Sequence, residues 1–357
     1  MRNVYFTVGP SQLYPTVQRH IQTALKNEIQ SLNHRGPIFK KLFKEVSDNL
    51  KKLLNIPKNY QILFVSSGLE SMERILQGCT QNCSYHVVVG YFGKTWANYA
   101  GNLGRKVLKV GANGGDGIDL TKLKIPKEAE IICITQNDTS TGIWLPPEDI
   151  YSLKRRYPEK LLALDLVSAL PYVKLDYKYI DAAFFSVQKG FGLPAGLGVM
   201  IVSPKVLHKA QTLAREGINI GSYHSLVNLL KSAEKWETPE TPNVMNIYLL
   251  SKVIKDLQRK TLAKIRAETD EKAKLLYNFF ENHKEYSPYV KNPKYRSPTT
   301  LVFDVKGKSE SIRKKLAKSG FIIGAGYGFE KENHIRIANF PAHRKATIKR
   351  MLRYIGN

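Results

Sequence analysis

Cysteine is scarce in this chain: Cys79, Cys83 and Cys133 are the three among 357 residues. That is too few for a disulfide framework. Cys79, Cys83 and His86 have the spacing of half a zinc site, but a structural site takes four ligands and no second cluster follows. The cysteines are read as turn and strand residues, and no metal is expected. Long apolar runs are also missing, since no stretch approaches the ~18 consecutive apolar residues of a membrane span. The segment MRNVYFTVGP has no apolar signal core. The cytoplasm is therefore the expected compartment, with no membrane partner. Acidic residues are in short supply: 30 Asp+Glu stand against 55 Lys+Arg, a net charge of +25. Such a field draws anions. The lysines are spread along the whole chain, and no dense basic run is interleaved with aromatics. This favours a solvated basic surface over a nucleic-acid stripe, so no nucleic-acid partner is expected.

What is present fits an ordinary globular protein, with 43% apolar and 24% charged residues. The length suits one large domain and a smaller one. No internal repeat or low-complexity tract stands out. Residues 38–54 place Phe39, Leu42, Phe43, Val46 and Leu50 on one helical stripe. Buried-strand candidates follow at 61–66, 86–90, 106–110, 130–135, 161–165, 182–187 and 197–203, most of them separated by helical stretches or loops. The pattern predicts an α/β fold with a mainly parallel sheet flanked by helices, and ligands at the carboxyl ends of its strands. Residues 244–284 read as one long helix. Beyond Pro288 the pattern becomes strand (299–305), helix (309–319), strand (334–339) and helix (344–354), a small α+β domain. The expected division is 15–255 for the large domain and 256–357 for the small one, with residues 1–14 packing against the latter.

Three strand ends carry chemistry. In Phe184-Phe185-Ser186-Val187-Gln188-Lys189-Gly190, a lysine directly follows an apolar strand. Desolvation there lowers an ammonium pKa, and a neutral amine is what Schiff-base chemistry needs. Asp165 ends the strand LLALD, 24 residues earlier, where a carboxylate can face that lysine. Ser66-Ser67-Gly68-Leu69 opens a helix after QILFV, and a small-residue loop at a helix start presents free N–H groups to a phosphate. It is not a Walker loop, because the Gly-Lys-Ser/Thr ending is absent.

The order of phosphate loop, acid and lysine resembles the class V aminotransferases of the fold-type I pyridoxal-phosphate enzymes. SVQKGFGLPAGLGVMIVS (186–203) is similar to that family's lysine segment. DTSTG (138–142), GYFGKTW (90–96) and HIRIANF (334–340) resemble its other motifs. The resemblance covers nearly the whole chain. It implies pyridoxal 5'-phosphate as cofactor, with Lys189 as the Schiff-base lysine and proton shuttle and Asp165 as partner of the pyridine nitrogen. It implies Phe92 stacked on the ring and Thr139 near the ring oxygen. It further implies Ser67, Gly68, Leu69 and Gln188 around the phosphate, and Arg336 gripping the substrate carboxylate in a bidentate pair.

TPETPNV (238–244) resembles the segment that crosses to a partner's cofactor phosphate, with Thr241 in that role. A homodimer with active sites at the interface follows. Glu240 stands where the family often has asparagine, so its carboxylate must point away from the phosphate or the alignment slips. Asn33-His34-Arg35-Gly36 followed by Phe39 resembles the motif with which the phosphoserine aminotransferase branch, an arm of serine biosynthesis, binds substrate phosphate. That branch has a second His-Arg pair before the carboxylate arginine, and GAGYGFEKENH (324–334) lacks it. The resemblance thus implies small anionic amino-acid and oxo-acid substrates, phosphoserine with 2-oxoglutarate first. Alanine or serine with glyoxylate or pyruvate stands as the alternative, and a non-catalytic basic binding protein on the same scaffold as the remote one.

Overall fold

The computed structural model describes residues 3–112 and 114–356. Strand β1 (Val4–Phe6) precedes a seven-stranded sheet. That sheet is built from β2 (Gln61–Val65), β3 (Cys83–Val88), β4 (Lys106–Gly111), β5 (Ile131–Thr135), β6 (Leu161–Asp165), β7 (Ala182–Ser186) and β8 (Gly198–Val202). Its order is β2-β8-β7-β6-β5-β3-β4. Only β8 runs against its neighbours β2 and β7. All five residues of β5, β6 and β7 are buried. These continuous apolar runs are what a sheet covered on both faces requires. β4 closes one edge and points Lys106 and Lys109 to solvent, which discourages further strand addition.

Pairing starts β3 at Cys83, earlier than the apolar run at 86–90 indicates. Ser84 is buried at the strand start because its Oγ pairs with His86 Nε2 at 2.9 Å. That hydroxyl hides the strand from an apolar pattern. His86 also packs edge-on to Trp96, with ring centroids 6.1 Å apart.

The second sheet has the order β1-β11-β12-β10-β9, with β9 (Ser287–Pro288), β10 (Thr300–Asp304), β11 (Phe321–Ala325) and β12 (His334–Ala338). β1 lies parallel to β11, so the start of the chain joins the sheet made by its end. Phe6, Phe280, Phe303, Phe321, Ile335 and Met351 form part of its own core.

The long helix expected over 244–284 is two helices, Val244–Lys260 and Leu262–Glu281. Thr261 breaks the run with φ 66° and ψ 140°, and its hydroxyl accepts the Lys264 N–H at 3.3 Å. A threonine cap ends one helix and starts the next without any glycine or proline to mark the place.

The topology gathers at least five loops at one edge. β2, β3, β5, β6 and β7 run the same way, so the segments after Val65, Val88, Thr135, Asp165 and Ser186 leave at the same side. The antiparallel β8 makes 187–197 a loop that doubles back over that edge. The opposite end of β7 is fixed by charge. Asp181 Oδ2 accepts from Lys154 Nζ at 2.7 Å and from the Leu162 N–H at 2.8 Å, and both charged residues are buried. Asp181→Ala leaves Lys154 buried without its anion, and about 3 kcal/mol of stability should be lost. Urea denaturation checks this; an unchanged transition would contradict the assigned role.

Candidate active site

Lys189 lies three residues beyond β7 and is 5% exposed. Its Nζ donates to Thr139 Oγ1 at 2.6 Å and to Ser168 Oγ at 3.0 Å, and sits 5.4 Å from the centroid of the Phe92 ring. These contacts are neutral hydroxyls and a π face, not a carboxylate. Burial therefore dominates and lowers the amine's pKa; Asp165 opposes the shift and Arg336 adds to it. Gly9 packs on the lysine stem. A Cβ there would stand 2.7 Å from Lys189 Cε, and the backbone has φ +133°, so glycine satisfies both demands.

Asp165 closes β6 and is 3% exposed. The Val167 N–H donates to its Oδ1 at 2.9 Å, which leaves the other oxygen for a ring N–H. Burial pushes its carboxyl up; the Val167 bond and the nearby Lys189 charge pull the other way.

Thr139 stands at the centre of the cluster. Its hydroxyl pairs with Ser168 Oγ at 2.5 Å, and its carbonyl accepts from Arg336 Nη1 at 3.1 Å. The fully buried Asp138 accepts from Ser140 N–H and Oγ at 2.8 and 2.5 Å, and from the Phe92 N–H at 3.2 Å. It thereby holds the start of helix Tyr91–Asn102, and with it Phe92. A carboxylate suits that helix end. Gly90 makes room for it, since a Cβ there would lie 2.3 Å from the Asp138 carboxyl carbon.

Ser67 caps helix Gly68–Cys79 by accepting the Glu70 N–H at 3.1 Å. The Gly68 N–H is already taken: it donates to Ser186 Oγ at 2.8 Å. Of the expected backbone donors here, Leu69 keeps a first-turn N–H with no helical carbonyl to receive it. Gln188 contributes its carbonyl to the Ser11 N–H at 3.1 Å.

Arg336 projects from β12. Ala325 O accepts from its Nε at 2.7 Å, and Thr139 O from Nη1, leaving Nη2 and the second Nη1 hydrogen for a carboxylate. Burial lowers its pKa to about 10, so it stays cationic at neutral pH. The Tyr327 ring covers the guanidinium at 5.1 Å and meets Tyr91 and Phe92 at 4.4 and 5.8 Å.

Lys189, Asp165, Thr139, Phe92 and Arg336 thus form one cluster. Ser168, Asp138, Tyr327 and Gly9 belong to it and were not singled out from the sequence. Ser168 lies three residues after Asp165, but a lone serine after a strand carries no pattern. His34 and Arg35 sit apart: no hydrogen bond or ion pair among the described residues ties them to Lys189. His34 is buried edge-on to Phe39, with Nε2 lacking a hydrogen-bond partner, and Arg35 is exposed. Thr241 is exposed and lines a cavity of about 390 Å³ with Ser66, Glu70, His224 and Glu240. Glu240 points to His224, whose Nε2 it meets at 2.8 Å.

The family model for class-V aminotransferases matches residues 4–342. A phosphoserine aminotransferase from Corynebacterium glutamicum is 26% identical over 353 residues, covering 97% of this chain and 92% of that one. The structure of a phosphoserine aminotransferase from Cytophaga hutchinsonii superposes with a TM-score of 0.97 at 44% identity, covering 99% and 98% of the two chains. A pyridoxal-phosphate-bound phosphoserine aminotransferase from Trichomonas vaginalis shares the fold, with a TM-score of 0.80 at 18% identity over the full length of both.

Pyridoxal phosphate fits this donor set. A desolvated amine faces an aromatic ring, a buried carboxyl with one oxygen free can accept from a ring N–H, and the start of a helix can offer the Leu69 N–H to a phosphate. The lowered amine pKa has a direct readout in competitive acetylation of cofactor-free protein. Neutral amine, the reactive form, should appear at Lys189 at lower pH than at surface lysines. Asp165→Asn removes the charge that opposes the shift and should move the midpoint lower still. A midpoint at the ordinary lysine value would contradict the desolvation argument.

Proposed function

Starting from the fact that this chain belongs to the class-V aminotransferases and depends on pyridoxal phosphate, we propose that it transfers the amino group of phosphoserine to 2-oxoglutarate. The observation that carries this reading is the end-to-end similarity to the Cytophaga hutchinsonii phosphoserine aminotransferase at 44% identity. Relatives of the same name at 24–26% identity support it.

Pyridoxal phosphate supplies an aldehyde to take up the substrate amine and a ring that withdraws electrons from the substrate α-carbon. The chain's residues do the rest. Lys189 Nζ, its pKa lowered by burial to about 8, accepts the α-proton in its neutral form and returns it elsewhere. The Thr139 and Ser168 hydroxyls aim that amine. Asp165, as carboxylate, would accept a hydrogen bond from the ring N–H and hold that proton on the nitrogen. Phe92 covers the ring face and excludes water. The Leu69 N–H and the Ser67 loop receive the phosphate, with Gln188 beside them. Arg336, fixed by two carbonyls, grips the α-carboxylate, and Tyr327 walls off that contact.

His34, Arg35 and Thr241 have no place in the Lys189 cluster of their own chain. A homodimer gives them one, with each chain lending its His-Arg pair and its 238–244 segment to the other's site. The buried, unpartnered His34 Nε2 and the exposed Arg35 and Thr241 suit residues that wait for a second chain. Of these, His34 and Arg35 match the dianion of a substrate phosphate.

One observation favours a second reading. Where a second His-Arg pair would precede Arg336, this chain has Tyr327 over the guanidinium. An alanine- or serine-type transaminase using glyoxylate or pyruvate needs no phosphate grip. Initial rates with phosphoserine plus 2-oxoglutarate, beside alanine or serine plus glyoxylate, decide between them. The phosphoserine pair should be faster, and preference for alanine or serine would overturn the first reading. Arg35→Ala should raise the KM for phosphoserine at least about tenfold, as expected for one lost charge-assisted bond, with no matching change for alanine. Lys189→Ala should abolish turnover.

A further inference from the structure

Glu70 and Glu240 pose an electrostatic problem. Glu70 lies in the first turn of helix Gly68–Cys79, at the proposed phosphate cup, and Glu240 adjoins Thr241. Glu70 should repel a dianion in its own cup, and Glu240, next to the Thr241 proposed to reach the partner's cofactor phosphate, should repel that one.

His224 sits between them. Its Nδ1 pairs with Glu70 Oε1 and its Nε2 with Glu240 Oε2. The residue is 4% exposed and its ring stacks on Tyr223 with centroids 4.0 Å apart. A carboxylate on each ring nitrogen demands a donor from each, and imidazolium alone provides both. It cancels one of the two negative charges. The other Glu70 oxygen accepts from Ser66 N–H at 2.7 Å and Ser66 Oγ at 2.6 Å, so the same carboxylate fixes the residue that leads into the cup. Thr238 Oγ1 donates to Glu240 O at 2.7 Å and braces the strap from its other side.

We propose that His224 is a positioning residue for the cofactor phosphate: its cation offsets the carboxylates beside the cup and ties the 238–243 strap to the Ser66–Leu69 loop. The proposal rests on the reading of Ser67–Leu69 as the phosphate cup. Burial works against the charge on His224, but the hydrogen bonds from Glu240 and Glu70 outweigh it and hold the imidazole up to about 9. In turn Glu70, raised by burial, is drawn down to about 2 by His224 and Ser66. The His224–Glu70 pair is thus ionic at neutral pH. It also accounts for the glutamate at 240: the carboxylate is consumed by a histidine sixteen residues earlier.

Equilibrium binding of pyridoxal phosphate and of phosphate-free pyridoxal to cofactor-free protein, followed by visible absorbance, tests the proposal. The proteins are wild type, His224→Gln, and His224→Gln combined with Glu240→Gln. The single variant should lose at least about tenfold in affinity for pyridoxal phosphate, the scale of a charged hydrogen bond, with its affinity for pyridoxal unchanged. The double variant should regain most of the loss, because the uncompensated carboxylate is gone. His224→Gln binding pyridoxal phosphate like wild type, or losing both ligands equally, would overturn the proposal, as would a double variant no better than the single. The assay uses no amino donor, so an error about phosphoserine leaves it untouched. Wild-type protein that binds both vitamers equally would overturn the cup and the role of His224 together.

Discussion

The site depends on one amine held out of water without an anion to pair with. Lys189 ends between two hydroxyls and an aromatic face, an arrangement that costs stability in any protein that makes no use of it. The surroundings enforce it from several directions. Gly9 presses on the stem. The Ser168 carbonyl is held by Asn137 Nδ2 at 3.0 Å and Thr299 Oγ1 at 2.6 Å. Thr299 immediately precedes β10, and Arg336 on β12 reaches the Thr139 carbonyl. The smaller sheet therefore buttresses the same two residues that receive the amine. Both sheets, and the segment that carries Gly9, converge on a single nitrogen.

Asp165 and Lys189 complement each other in that environment. Burial disfavours charge on both, moving the carboxyl up and the amine down. The same cause, desolvation at the carboxyl edge of a parallel sheet, favours the neutral amine that takes up a proton and leaves the carboxylate short of a partner, a want that a ring N–H would meet. The strand order is what makes this possible, because β6 and β7 are adjacent and Asp165 lies in register with Phe184.

Much of this was legible in the sequence. Lys189 and Asp165 announce themselves by ending apolar runs, and most strands of the large sheet show as such runs, the start of β3 and the exposed edge strand β4 excepted. Ser168, Tyr327 and Gly9 do not, because each matters through a neighbour that is distant along the chain. Ser168 acts by meeting Thr139 and Lys189, Tyr327 by covering Arg336, and Gly9 by the space it leaves. The Thr261 break is silent for a different reason: threonine caps helices, yet it is also common within them. His34 and Arg35 were readable as a motif, but a motif carries no information on which chain's site it serves. Glu240 looked like a misfit until His224, found only by folding, gave it a partner.

The most direct test of the central claim is borohydride reduction of the protein with pyridoxal phosphate, followed by mass mapping of the modified peptide. The account predicts a single reduced adduct at Lys189 in wild type and none there in Lys189→Ala, despite the many other lysines of this basic chain. An adduct spread over surface lysines, or one centred elsewhere with Lys189 unmodified, would contradict it.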